Sequence, residues 1–142
     1  MKTVRQLLQG KQSGVYTVEP DVPVINALRL MAEHGIGALP VVADGRLAGI
    51  LSERDYARKV VLQGRSSHDT RVAEIMTARV VCVAPERTVE ECMALMTEKR
   101  IRHLPVIEDG RLSGLLSIGD LVKATISEQQ FVIAQLESYI HG

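Results

Sequence analysis

Leu39-Pro-Val-Val-Ala-Asp-Gly-Arg-Leu-Ala-Gly-Ile-Leu-Ser52 returns 65 residues later as Leu104-Pro-Val-Ile-Glu-Asp-Gly-Arg-Leu-Ser-Gly-Leu-Leu-Ser117. In each copy two apolar runs flank Asp-Gly. That pair suits a two-residue hairpin turn, whose central residues both need positive φ. The match extends without a gap over Val15–Val60 and Val80–Thr125, where 19 of 46 positions are identical. Chance at average composition gives roughly three or four. The duplication decides the architecture before any single element is assigned.

Working outward, each copy reads as one strand–helix–strand–strand–helix unit. Val15–Val18 predicts a short first strand. Val24, Ala27, Leu28 and Met31 fall on one helical face, as do Val89, Cys92, Met93 and Met96 in the second copy. Gly35 sits where a helix end takes a left-handed residue. Ser52 opens a further helix to about Gln63, with Tyr56, Val60 and Val61 expected on its buried side and Gly64 as its stop. A unit of about 46 residues buries too little apolar surface to stand alone, so the copies are expected to share a core. Arg65–Thr70 reads as the polar linker. A short helical lead precedes each copy (Val4, Leu7, Leu8 and Val72, Ile75, Met76), the first standing three residues further from its strand. Ser127–Ile140 has no counterpart in the first copy. It is apolar enough to pack on its own domain or to form a dimer contact.

The composition is that of a globular chain: 142 residues, 46% hydrophobic and 24% charged. Lys+Arg and Asp+Glu balance at 17 each, so no global field draws nucleic acid or anionic membrane. One Phe, three Tyr and no Trp leave few platforms for stacking single strands. No membrane span and no signal-peptide pattern is visible, and a cytoplasmic location is the simplest expectation. Cys82 and Cys92 have neither disulfide nor zinc spacing and read as small core residues. His34, His68 and His141 read as surface histidines, and no metal site or nucleophile–base pair stands out.

Two constellations carry candidate chemistry. Each copy ends its last strand in Gly-x-x-Ser-x-x-Asp, Gly49 to Asp55 and Gly114 to Asp120. Gly admits close approach to backbone, a Ser hydroxyl and helix N-terminal amides suit phosphate, and an Asp accepts from ribose hydroxyls. Ser-x-x-Asp is equally a helix cap, and both roles fit the same residues. Secondly, Arg100-Ile-Arg-His-Leu-Pro105 is read as a strand with basic side chains, against the uncharged Gly35-Ile-Gly-Ala-Leu-Pro40 of the first copy. Unlike half-sites and a solvated strand end both account for it.

With these motifs the chain resembles the CBS-domain family (cystathionine-β-synthase type), from Val4 to Ile126. Ser52-Glu-Arg-Asp-Tyr-Ala-Arg-Lys59 and Arg102-His-Leu-Pro-Val106 are most like small stand-alone bacterial pairs of such domains. The resemblance implies an α/β fold of two tandem β-α-β-β-α repeats packed about a pseudo-twofold axis. The single module would divide into a first repeat with lead (4–64), linker (65–71), second repeat with lead (72–126) and C-terminal helix (127–142). It implies a regulatory sensor of AMP, ADP or ATP, with NAD(H) a further option, that is not an enzyme and uses no catalytic cofactor or metal. Family modules commonly pair, so a homodimer is expected, with an enzyme or transporter reading the ligand-driven change. As in the γ subunit of AMP-activated kinase, each cleft would draw on both repeats. One would join Ser52, Arg54 and Asp55 to Val80, Val81, Arg102, His103 and Pro105. The other would join Ser117 and Asp120 to Tyr16, Thr17, Gly37, Ala38 and Pro40. Gly37, Ala38 and Gly119 stand where cations often do, so the Asp55 cleft is expected to hold phosphate more strongly. The rival expectations are a ligand-free interaction module and, further off, a nucleic-acid binder.

Overall fold

The computed structural model describes residues 2–11 and 14–141. The elements are α1 (Val4–Gly10), α2 (Val24–His34), β1 (Ala38–Ala43), β2 (Arg46–Ser52), α3 (Glu53–Tyr56), α4 (Val72–Ile75), α5 (Val89–Lys99), β3 (His103–Glu108), β4 (Arg111–Ser117) and α6 (Ile118–His141). Both expected hairpins form, β1 with β2 and β3 with β4, antiparallel. Asp44 and Asp109 take φ of 52° and 53°, and Gly45 and Gly110 follow at 77° and 75°, the left-handed pair that a tight hairpin turn requires. Each hairpin carries a one-residue bulge beyond Val41 or Val106, at matching positions.

The first strand of each unit is shorter than expected. It is a single parallel bridge, Val18 to Val41 and Val83 to Val106. The Val18 amide donates to the carbonyl of Pro40 at 3.1 Å and the Val83 amide to that of Pro105 at 3.0 Å. Arg100–Arg102 is likewise not strand. Arg100 is the left-handed cap of α5 (φ 55°), the counterpart of Gly35 (φ 62°), and β3 begins only at His103.

The two repeats do not share one continuous core. Val18, Val24, Ala27, Met31, Leu39, Val41, Leu51 and Val60 form one cluster with Val72 and Ile75. Val83, Val89, Cys92, Met96, Leu104, Val106, Leu116 and Leu121 form another with Val4. The leads are therefore exchanged: α1 completes the second repeat and α4 completes the first. Backbone bonds fasten them at equivalent places. Val4 donates to Arg87 at 2.8 Å and Val89 to Lys2 at 3.0 Å; Val24 donates to Thr70 at 2.8 Å and Val72 to Val22 at 3.0 Å. Each lead thus precedes one copy in the chain and packs on the other. β2 and β4 pack against each other and close the interface between repeats.

Past Ser52 the two copies diverge. α3 passes into a π-helical turn at Ala57–Val61, and Gly64 (φ 67°) ends the segment. The wider turn rotates Val61 outward, where it is 56% exposed rather than buried as its helical spacing suggested. At the position of Gly64 the second copy has Gln129, and α6 runs on unbroken. Ser127–Ile140 is thus an extension of the second repeat's last helix, and 131–140 are exposed throughout.

Candidate functional site

Both Ser-x-x-Asp motifs are helix starts, as their capping pattern requires. At the first, the Ser52 hydroxyl accepts from the Asp55 amide at 3.1 Å, while the Ser52 amide and hydroxyl both donate to Asp55 Oδ2 at 3.0 Å. Asp55 Oδ1 meets Lys59 Nζ at 3.3 Å and accepts from Thr77 Oγ1 at 3.4 Å. Lys59 also donates to the carbonyl of Ile75 at 2.9 Å, where α4 ends. Both oxygens of Asp55 are thus engaged within the protein.

At the second motif the Asp120 amide donates to Ser117 Oγ at 3.1 Å and Asp120 Oδ2 accepts from the Ser117 amide at 2.8 Å. Its cation comes from elsewhere: Lys11, just past α1, donates from Nζ to Asp120 Oδ2 at 3.0 Å and to the carbonyl of Leu115 at 2.9 Å. Among the described residues Asp120 Oδ1 has no hydrogen-bond partner. Burial opposes ionisation of this carboxyl, but the Ser117 amide and the Lys11 ammonium outweigh it and hold its pKa below the usual value.

The difference in lead length explains the difference in shape. At the Asp55 motif, Thr77 and Ile50 exchange backbone hydrogen bonds of 2.9 Å, so the segment after α4 lies directly on β2. At the Asp120 motif the longer lead reaches β4 through the side chains of Leu8 and Lys11. A cleft of about 490 Å³ opens there. One wall is Gly14, Val15, Tyr16, His34 and Ile36; the other is Leu8, Lys11, Ser113, Gly114 and Leu115. That volume lies in the range of small-ligand sites. Tyr16 and His34 stack inside it, with ring centroids 3.7 Å apart and planes at 15°. Lys11 covers Asp120 from the cleft side.

Of the residues expected for this cleft, Tyr16 lines it and Ser117 and Asp120 stand behind Lys11. Thr17 is exposed beside Tyr16, whereas Ala38 and Pro40 are buried in β1 and present no free surface. Pro105 is buried in the same way in β3. Gly37 faces the centre of the molecule: a Cβ built on it would lie 3.2 Å from Glu53 Oε1 and 3.8 Å from His103 Cε1. Gly37 and His103, assigned to different clefts, are therefore neighbours. Arg54 and Arg102 are exposed, and Val80 and Val81 half-buried. Burial lowers the pKa of His103; Asp120 acts to raise it, and Arg102 and Lys11 to lower it further. Lys11, which was not among the residues expected for this cleft, stands against Asp120, and both act electrostatically on His103.

The motif glycines make room for the exchanged leads. A Cβ at Gly49 would come within 2.8 Å of the Thr77 carbonyl oxygen and Met76 Sδ; one at Gly114 would come within 2.5 Å of Leu8 Cδ2. Each Gly admits the exchanged lead. His34 is half-buried rather than on the surface, His68 is exposed, and the side chain of His141 lies outside the described residues. Cys92 is buried, but Cys82 is exposed because only Val83 of its segment joins the sheet. Among the described residues no cluster of His, Cys, Asp and Glu could hold a metal ion, and no helix is long and apolar enough to cross a membrane.

Lys11 belongs to no sequence motif, and His34 reads in sequence only as a surface histidine. The three-residue excess of the first lead was the available signal for Lys11.

Comparison with known proteins bears on the repeat as a whole. The family model described as "CBS domain" matches residues 5–62 and 72–127. The mitochondrial CBS domain-containing protein CBSX3 of Arabidopsis thaliana is 46% identical over 127 residues, covering 86% of this chain; the chain spans only 62% of that relative. YhcV of Bacillus subtilis, a CBS domain-containing protein, is 36% identical over 115 residues, 81% of each chain. The solved structure of a putative signal-transduction protein with CBS domains from Burkholderia ambifaria superposes with a TM-score of 0.87 at 58% identity, covering 90% of this chain and 96% of that one.

Proposed function

The chain belongs to the CBS-domain family as a regulatory module of two such domains in tandem, and we propose that the signal it reads is an adenosine nucleotide, taken first by the Asp120 cleft. The observation that carries this reading is the pairing of an open cleft of about 490 Å³ with an Asp120 carboxylate that keeps one oxygen unpartnered among the described residues. Tyr16 offers a flat face for the adenine, Asp120 an acceptor for ribose hydroxyls, Lys11 and Arg102 charge for phosphate, and His103 a neutral imidazole hydrogen-bond donor. Ribose hydroxyls compete with Lys11 for Asp120, and the released ammonium turns to the phosphate. AMP, ADP and ATP fit this chemistry, and NAD(H) shares its adenosine half. The ligand touches α1, the first repeat and β4 together, so binding biases how the repeats sit against one another. An enzyme or transporter partner would read that bias.

A ligand-free interaction module is the second reading. Its support is that both Asp side chains already meet a lysine of the same chain. Thermal melting with millimolar AMP, ADP, ATP, NAD(H) and GMP separates the two. The sensor reading expects stabilisation by adenosine compounds, about 2.7 kcal/mol at a hundred times the dissociation constant, and less by GMP. Unchanged melting with every adenosine compound favours the second reading.

A further inference from the structure

The two copies meet the centre of the molecule with the same backbone and unlike side chains. The Glu53 amide donates to the carbonyl of Gly37 at 3.0 Å, and its repeat counterpart, the Ile118 amide, donates to the carbonyl of Arg102 at 2.9 Å. One copy thus sets an acid beside a glycine, and the other an aliphatic side chain beside an arginine. The glycine gives the acid its place. A Cβ at Gly37 would lie 3.2 Å from Glu53 Oε1 and 3.9 Å from Glu53 Cδ, so the carboxylate covers the space from which a side chain at position 37 would start. At the equivalent position of the second copy that space is taken by the Arg102 side chain. The same added Cβ would be 3.8 Å from His103 Cε1, so acid and imidazole flank one point between the repeats. Glu53 is exposed, and among the described residues no cation is ion-paired with it.

We propose that Glu53 determines specificity in the Asp120 cleft, making it a site for a nucleoside monophosphate by repelling the further phosphoryl groups of a polyphosphate. This rests on the adenosine reading of that cleft. With the base on Tyr16 and the ribose on Asp120, the first phosphate is directed at Lys11 and His103. Asp120 and Lys11 both act electrostatically on that imidazole, which puts the three groups in one neighbourhood. Each further phosphoryl group extends past His103 toward Gly37, where it meets the Glu53 carboxylate. Arg102 is the cation on that path, and Glu53 opposes it. A site chooses its ligand by repelling the wrong one as well as by holding the right one. As an acid in the first turn of α3, Glu53 also favours its own helix start. That duty alone would alter stability and leave the choice between ligands unchanged.

Calorimetric titration of adenosine, AMP and ATP into the full chain, without magnesium, tests it. The variants are Glu53→Gln, which keeps the size and removes the charge, and Glu53→Lys, which reverses it. Both alter an exposed position and are expected to keep the parent's far-ultraviolet circular dichroism. The parent is expected to bind AMP more tightly than ATP. Glu53→Gln is expected to tighten ATP about tenfold, AMP by less than about threefold and adenosine not at all. Glu53→Lys is expected to tighten ATP further still. A parent that prefers ATP overturns the proposal and leaves the adenosine reading standing. So does a ratio of ATP to AMP affinity that is the same in the parent and both variants. If adenosine, AMP and ATP all fail to bind the parent and the variants, the sensor reading falls and this inference falls with it.

Discussion

At the Asp55 corner the lysine comes from one turn further along the same helix, Lys59; at the Asp120 corner it comes from the far end of the chain, Lys11. The position of Lys59 is taken by Ala124 in the second copy, and that of Lys11 by Arg79 after the second lead. A duplicated fold has kept the charge balance at each Asp while changing its source. The consequence is mechanical. A lysine on its own helix leaves the neighbouring lead free to lie flat on β2, and the Thr77–Ile50 bridge closes that side. A lysine reaching from a longer lead props the equivalent side open beside β4.

Substitution of the motif glycines breaks this comparison most directly. At Gly49 an added Cβ meets a backbone carbonyl already bound into the Thr77–Ile50 bridge, which cannot move without breaking it. At Gly114 the clash is with the methyl groups of Leu8 at the edge of the cleft, which can turn aside. Gly49→Ala is expected to cost about 1–3 kcal/mol in urea unfolding and Gly114→Ala distinctly less. Equal losses would show that the two leads are held alike.

A smaller effect is expected at the ends of α2 and α5. Gly35 and Arg100 hold the same left-handed cap, but only Gly holds it without a Cβ penalty. Arg100→Gly should stabilise the protein by about 1 kcal/mol, and Gly35→Arg should destabilise it by a similar amount. An Arg100→Gly variant less stable than the parent would mean that the guanidinium contributes more than its backbone conformation costs.

The smallest effect concerns His103. Burial lowers its folded pKa, so the folded state takes up this proton less readily than the unfolded chain. Its contribution favours folding least at low pH: stability is full above the ordinary histidine value of about 6.5 and falls as pH drops below it. Urea unfolding at pH 7.5 and 5.5 should therefore show a larger acid loss for the parent than for His103→Gln. Identical losses would place His103 in an environment like water.

Much of this was legible in the sequence because it depends on local rules. Asp-Gly between apolar runs gave the hairpins, and Ser-x-x-Asp gave the helix starts. What sequence could not show was the exchange of the leads. Val4 and Val72 look alike wherever they pack, and only the path of the linker decides which repeat they complete. The same holds for the site. Arg102 and His103 stood out because their repeat counterparts are uncharged, whereas Lys11 has a basic counterpart in Arg79 and lies outside the aligned repeat. The expectation of a stronger phosphate site at Asp55 rests on cations near each motif, and the open space beside the Asp120 motif is what the structure adds to it. The π-helical turn after Tyr56 escaped for a related reason, since helical spacing carries no mark of one residue too many.

Calorimetric titration of AMP into the parent, Asp120→Ala and Asp55→Ala proteins tests the central claim most directly. One charge-assisted hydrogen bond is worth about 1.5–3 kcal/mol, so Asp120→Ala should weaken the tighter site roughly ten- to a hundredfold. Asp55→Ala should leave that site within about threefold of the parent, its carboxylate being tied to Ser52, Lys59 and Thr77. Loss of the tighter site in Asp55→Ala with full retention in Asp120→Ala would contradict the account and return the ligand to the other cleft.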